Sequence, residues 1–423
     1  IYFNTKSQMI KKIIVSFSLL FSLAAVAQQE GTASPYSYYG IGDVRFKGTA
    51  ETRSMGGLSI IPDSIHINLQ NPASYSALRL TTFAVGGSFN VTNFKTNSDK
   101  DQGQRTTLDY LAVAFPAGKL GVGFGLIPYS SVGYKVRSGS NTTTDPYHAY
   151  SGEGGMNKVF LGAGYKISSK FSIGVDFNYN FGNVETKNIW SQDVQYSTRE
   201  LNTSDLSGFN VNTGVIFNTK IKKKYDFYAS ATYTPESTLS SDNTRQLATV
   251  IDYQGAEGVV ESRDLVVGDT DLKLPSKYSF GAGFGKKAEW FVGAEVTLQQ
   301  SSKFGNRYND ITNVSYKDAE KYTIGGYFVP EYNSFTNYWK RITYRAGLKY
   351  ENTGLVISDV PIKDYGFTLG LGLPVGGAIS NLNLGFEYGR RGTTEANLVK
   401  ENYANIFLSL SLSDRWFVKR KYD

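Results

Sequence analysis

The stretch Ala404-Asn405-Ile406-Phe407-Leu408-Ser409-Leu410-Ser411-Leu412-Ser413 repeats with a period of two. In an extended chain Ala404, Ile406, Leu408, Leu410 and Leu412 share one face. Asn405, Ser409, Ser411 and Ser413 share the other, and Phe407 is the one apolar intruder among them. A strand with leucines on one side and serines on the other divides a greasy medium from a wet one. Twelve stretches of the chain alternate in this way and almost none shows helical spacing. Many such strands behind an export signal predict an all-β fold, an antiparallel transmembrane β-barrel.

The same pattern recurs upstream. Leu120, Val122, Phe124 and Leu126 alternate with Gly121, Gly123 and Gly125, Val159, Leu161, Ala163, Tyr165 and Ile167 with Lys158, Gly162, Gly164 and Lys166, and Phe171, Ile173, Val175, Phe177, Tyr179 and Phe181 with small or polar residues. Tyr278–Gly285, Val292–Gln299, Ile342–Tyr350, Phe367–Leu373 and Leu382–Gly389 repeat it. Charged residues are 19% of the chain and aromatics 14%, with 30 Tyr, 26 Phe and 44 Gly. A mean hydropathy of −0.29 is far too polar for a bundle of membrane helices. It suits a barrel, which shows lipid only every second residue. A soluble β-sandwich also alternates, but it has no use for so many outward rows of Leu, Val, Phe and Tyr. There is no cysteine, so disulfides, thiolate metal sites and a cysteine nucleophile are excluded.

Met9-Ile10-Lys11-Lys12, the apolar run Ile13–Val26 and the cleavage-type triplet Ala25-Val26-Ala27 read as a secretory signal over residues 1–27, with Met9 the expected start. The run is short for a membrane-spanning helix. The formal charge is +7, and three of the lysines lie in this export segment. The remaining excess forms no basic block of the kind that binds nucleic acid, so no nucleic-acid partner is expected. Residues 28–78 are rich in Ser, Gly, Pro and Asn and do not alternate; they read as an N-terminal lead and hatch. The barrel is expected over 79–414 and a basic tail over 415–423.

Weaker strands fit 79–94, 105–117, 207–219, 225–235 and 353–360, for about fourteen in all, the even number that closed single-chain barrels prefer. The stretches 137–154, 188–206, 236–275 and 303–338 read as long polar loops, and apolar pieces within 236–275 suggest strands carried past the bilayer. Fourteen strands enclose a lumen about 28 Å across, too wide for side chains to fill. The non-crossing segment 28–78 is the natural plug.

Met55-Gly56-Gly57, Asp63 and Asn71-Pro72-Ala73-Ser74 resemble the hatch signature of the FadL family of outer-membrane transport proteins. Leu274-Pro275-Ser276, Tyr344–Tyr350, Val360-Pro361 and Gly366–Gly372 follow in an order similar to that family's C-terminal half. The likeness covers most of 50–414, and the long aromatic lead and the C-terminal ending look like the Bacteroidetes branch. The resemblance implies a fourteen-stranded barrel, an N-terminal hatch, and passive outer-membrane uptake of hydrophobic compounds such as long-chain fatty acids. It also implies a lateral exit at a break in the third strand. Here that strand carries Ile127-Pro128-Tyr129, and proline cannot donate to a β-ladder. Some Bacteroidetes relatives serve instead as accessory subunits of secretion or barrel-assembly machines. That alternative needs no ligand pore, and it makes an outer-membrane protein complex the partner rather than a hydrophobic small molecule or lipid. The lead, with Tyr36, Tyr38 and Tyr39, and the basic tail are its expected docking elements.

Nothing in the sequence points to an enzyme, a cofactor or a metal. His66 and His148 are the only histidines and lie far apart. Asp269 and Asp271 lack further ligands of calcium-site type. The glycine-rich Gly370–Gly377 sits inside a period-two strand with no helix after it, which is the wrong context for a phosphate loop. Asp176, Glu295, Arg345, Lys349 and Glu387 fall on inward rows and are expected in a wet lumen, pairing with one another or with the plug. Arg53 is the hatch residue expected to meet an acidic ligand head group.

Overall fold

The computed structural model describes residues 32–44, 46, 48–139, 147–191, 196–253, 256–308, 313–375 and 380–414. The expected export segment and the basic tail at 415–423 lie outside the described residues, as do Gly376 and Gly377.

A short strand, β1 (Asp43–Val44), precedes the barrel. The wall then begins with β2 (Thr81–Lys95), β3 (Lys100–Ala117), β4 (Leu120–Gly139), β5 (Tyr147–Lys166), β6 (Phe171–Ser191), β7 (Ser197–Ile221) and β8 (Tyr225–Thr234). The chain leaves the wall for β9 (Ser237–Tyr253), β10 (Ala256–Leu265) and β11 (Thr270–Leu274). It returns in β12 (Lys277–Lys286) and β13 (Trp290–Gln299), makes a short β14 (Val314–Tyr316), and completes the wall with β15 (Ala319–Phe328), β16 (Thr343–Ile357), β17 (Val360–Val375), β18 (Ser380–Arg391) and β19 (Lys400–Asp414). Neighbours pair antiparallel, β8 pairs directly with β12 and β13 with β15. β19 pairs with β2 from Lys400↔Lys95 to Asp414↔Thr81 and closes a barrel of fourteen strands. Closure leaves no free edge, the condition for backbone to cross a lipid bilayer.

Why the strands face as they do is visible at the seam. Ile406 and Leu408 lie outward, 57% and 48% exposed, opposite Phe89 and Gly87. Asn405, Phe407, Ser409 and Ser411 lie inward and are buried. Phe124, Leu161, Phe177, Phe209, Phe280, Ile324 and Leu348 continue the exposed apolar belt round the circumference. A soluble protein would not display a patch of this extent, and the architecture is that of an outer-membrane barrel.

Two strand assignments from the sequence need correction. The segment 353–360 is no separate strand: β16 ends at Ile357, and β17 starts at Val360 after a turn at Ser358 and Asp359. The fourteenth strand is β15, inside the expected loop 303–338. Its alternation is masked because Gly326 interrupts the outward apolar row of Tyr322, Ile324 and Phe328, and the plug backbone packs against the inward Gly325. Strands do run past the bilayer over 236–275, where β9 pairs with the upper part of β7, and β10 and β11 pair with β9. β5 to β7, each 20 residues or more, rise with them.

Candidate functional site: a clamped plug in a polar lumen

Residues 46 and 48–78 lie inside the cylinder, and local chemistry shapes them first. Ala50–Arg53 makes one helical turn, and the chain then reverses at Gly56 and Gly57, φ +74° and +103°. These are left-handed conformations that L side chains rarely adopt. A Cβ on Gly56 would also strike the Leu348 backbone of β16. Asn71, Pro72 and Ala73 form a helix start: the Asn71 side chain accepts from the Ala73 N–H at 3.1 Å, and Pro72 opens the 3₁₀ helix Pro72–Ala77.

The plug is bonded to the wall on all sides. The Gly56 N–H donates to Thr368 Oγ1 of β17 at 2.9 Å, and Thr368 Oγ1 donates to the Ser54 carbonyl at 3.0 Å. Ser59 donates through both N–H and Oγ to Glu295 Oε2 of β13, each 2.8 Å. Asn383 of β18 donates to Glu51 at 2.8 Å, Tyr110 of β3 accepts from the Ala50 N–H, and Ser413 of β19 donates to the Ile65 carbonyl. Across the lumen Asn212 of β7 donates to the Gln70 carbonyl. Inward glycines make such close approach feasible. A Cβ on Gly174 would meet the Pro72 backbone, and one on Gly347 the Met55 and Gly56 backbone. Met55 is buried in a small apolar cluster with Leu58, Ile60 and Phe291.

At the centre is a charge cluster. Glu387 of β18 accepts from Arg53 at 2.8 Å and pairs with Lys349 of β16 at 2.6 Å. Arg53 also pairs with Asp109 of β3 at 3.4 Å, and Lys349 with Asp364 of β17 at 3.6 Å. The Arg53 guanidinium lies 4.7 Å over the ring of Phe407. The one residue that breaks the alternation of the C-terminal strand is thus the floor on which the plug arginine rests. Burial alone would lower the Arg53 pKa, but Glu387 and Asp109 outweigh it and hold the charge. Arg53, expected to be open to a ligand, is engaged by the wall.

A second ionic group lies elsewhere in the plug. Asp63 accepts from His66 Nδ1 at 2.8 Å, and Glu51 is 3.7 Å from His66 Nε2. Burial would raise the Asp63 carboxyl, yet the His66 imidazolium and the Ile65 N–H bring it down to about 2. Burial would likewise lower His66, but Asp63 and then Glu51 raise it above its ordinary 6.5. Arg345 donates to Asn383 at 3.1 Å beside this group. Asp176 accepts from Asn212 at 3.4 Å on the far wall. The five expected lumenal charges therefore all face inward, but in separate groups: Lys349 with Glu387, Arg345 near Asp63, and Glu295 and Asp176 apart.

Above the plug is a chamber of about 460 Å³. Polar and apolar groups share its lining almost evenly, with Ser88, Asn90 and Lys321 beside Ile41, Phe304 and Leu355. The lead crosses its mouth. Tyr36 is buried against Arg391, Tyr38 packs edge-on to Tyr134, and Tyr39 stacks edge-on to Tyr38. This corrects the expectation that these tyrosines form a docking element: they turn inward. Arg307, buried in the loop after β13, donates to the Gly40 and Tyr38 carbonyls at 2.7 and 3.3 Å. The signal for this lock, a lone arginine in a polar loop, is invisible without the fold.

Ile127, Pro128 and Tyr129 mark a parting in the wall. The β3–β4 ladder runs from Ala117↔Leu120 to Leu111↔Leu126. Beyond it β4 stays paired with β5 through a bulge at Tyr129, and its other edge takes β1, Asp43↔Ser131 and Val44↔Ser130. Ile127 is buried against the lower plug, and Tyr129 lines the chamber.

The barrel resembles solved structures at the level of fold. The toluene transporter TodX of Pseudomonas putida matches with a TM-score of 0.58 at 15% identity, over 89% of this chain and 100% of that one. The toluene transporter TbuX of Ralstonia pickettii matches with a TM-score of 0.57 at 14% identity, over 87% and 99%. A FadL homologue of Pseudomonas aeruginosa matches with a TM-score of 0.57 at 12% identity, over 88% and 98%. Among curated proteins none matches the sequence. The FadL resemblance read in the sequence is thus a likeness of architecture. The family model that matches is that of BamG, over residues 9–423. The chain belongs to the BamG family.

Proposed function

We propose that this member of the BamG family is a structural, non-transporting subunit of an outer-membrane complex, of the secretion or barrel-assembly kind. One observation carries the reading: the plug is held to strands around the lumen by buried ion pairs and hydrogen bonds. Passage through the lumen would mean moving the plug and uncovering its buried charges, at a cost of several kcal/mol each. The barrel then serves as a rigid pillar that sets partners at a fixed depth in the membrane. Purification of the full chain from outer membranes in a mild detergent tests this. The reading expects other outer-membrane or periplasmic proteins in fixed ratio to it; recovery of the barrel alone, at any detergent strength, contradicts it.

A second reading is favoured by the parting of β3 and β4. In it Ile127, Pro128 and Tyr129 form a lateral gate, and the hatch residues Arg53, Met55, Gly56, Gly57, Asp63, Asn71, Pro72 and Ala73 guide a hydrophobic compound, such as a long-chain fatty acid, sideways into the bilayer. The likeness to two toluene transporters supports the architecture this needs. Its test is uptake of a labelled fatty acid and of toluene by cells with and without the protein, with equal uptake counting against it.

A further inference from the structure

The two ends of the barrel differ in charge. One end carries the tight turns and both ends of the wall, the start of β2 and the end of β19; by barrel habit it faces the periplasm. Lysines stand in most of its turns. Lys119 lies between β3 and β4, Lys166 and Lys170 flank the β5–β6 turn, and Lys222 and Lys223 form the β7–β8 turn; all are exposed. No carboxylate pairs with these five among the described residues. The turns farther round add Lys286, Lys287 and Lys340, of which Lys286 pairs with Glu289 and Lys340 with Glu331. At the opposite end Arg199 and Lys187 pair with Glu257, while Lys95, Arg390 and Lys400 stand together with no acid paired to them among the described residues.

A ring of lysines is most simply a solvated rim, but two observations say more. The first is depth. Each group borders the outward apolar belt directly: Lys119 precedes Leu120, Lys166 precedes Ile167, Lys170 precedes Phe171, and Lys222 follows Ile221, each neighbour an exposed apolar side chain. The ammonium groups therefore stand where hydrocarbon ends, and their stems reach along it. The second is backbone. Lys222 and Lys223 hold φ +50° and +56°. Side chains crowd in the left-handed region, which favours glycine or asparagine. The two left-handed residues of the turn at the other end, Ser358 and Asp359, include no lysine. Lysines thus occupy two positions of the three-residue β7–β8 turn where the backbone favours smaller residues.

We propose that these turns form a docking ring for anionic phospholipid head groups of the periplasm-facing leaflet. A ligand that surrounds the barrel at one depth is a lipid plane, and each lysine adds to the attraction of a negatively charged surface. The inference rests on the fold and not on the proposed function.

Native mass spectrometry of the delipidated full chain in detergent, mixed with phosphatidylglycerol or with phosphatidylcholine, tests it. The wild-type chain should retain phosphatidylglycerol preferentially, with the preference fading as salt rises. Lys222→Asn with Lys223→Gly should weaken that retention about tenfold, while the thermal midpoint stays level or rises because the turn is relaxed. A second variant, Lys119→Gln with Lys166→Gln and Lys170→Gln, should do the same without touching that turn. Equal retention of both lipids by the wild type, or undiminished phosphatidylglycerol retention in both variants, would overturn the proposal. So would variants that keep the lipid but lose capture of an acidic periplasmic protein, which would assign the ring to a protein partner.

Discussion

Glu387 holds two cations at once, Arg53 from the plug and Lys349 from the wall. Replacing it by Gln leaves two buried positive charges facing each other with one acceptor fewer. We expect Glu387→Gln to cost about 3–5 kcal/mol, read as a lower urea midpoint of the folded barrel in detergent. His66 gives a signature in pH. Its folded pKa is raised above 6.5. A base that binds its proton more tightly when folded stabilises fully below its ordinary pKa and loses that stability as pH rises through the raised value. Asp63 works in the other direction: its folded pKa of about 2 lies below the ordinary 3.8, so its contribution is lost as pH falls through that interval. The melting temperature should therefore decline on the alkaline side of pH 6.5, and His66→Asn should flatten that decline. An unchanged slope in the variant would remove the Asp63–His66 pair from the account. At this scale the sequence was partly legible. Inward charges follow from strand parity, so Asp176, Glu295, Arg345, Lys349 and Glu387 could be named. Their partners follow from closure, which brings β3, β16 and β18 to one plug residue and has no local signature.

Among the elements, the plug and the wall were shaped for each other. Gly347 in β16 is where the plug backbone lies on the strand. Valine suits a strand better than glycine, so Gly347→Val should leave the barrel intact while its side chain pushes Met55 and Gly56 away. Limited proteolysis should then cut within 46–78 in the variant and leave the wild type whole; equal resistance in both would mean that the contact is dispensable. The plug's own turns were readable from Gly56-Gly57 and from Asn71-Pro72, because left-handed glycines and an Asn-Pro helix start are local matters. The strand β15 was not, because Gly326 stands where an outward apolar residue marks the other strands. Nor was β1, two residues long and defined only by the free edge of β4.

For the whole molecule, alternation alone decides the class. A leucine row outside and a serine row inside require lipid and water on opposite faces, and fourteen such strands must close. What the cylinder does lies in its interior, where the family resemblance and the packing point different ways. The architecture is shared with transporters. The interior holds a plug bonded to the wall and an inward-turned lead held by Arg307. A transporting barrel must shift or thin its plug during passage. A structural one keeps it as still as the strands.

Hydrogen–deuterium exchange of the purified full chain, with and without toluene or a long-chain fatty acid, measures this difference directly. If the plug is part of the wall, amides of Arg53–Gly57 and of Ser74–Ala77 exchange as slowly as those of β16 to β18, and the added compound changes neither. Exchange of those amides within minutes, or a change in them on adding the hydrophobic compound, would contradict the account and return the barrel to the transporters it resembles.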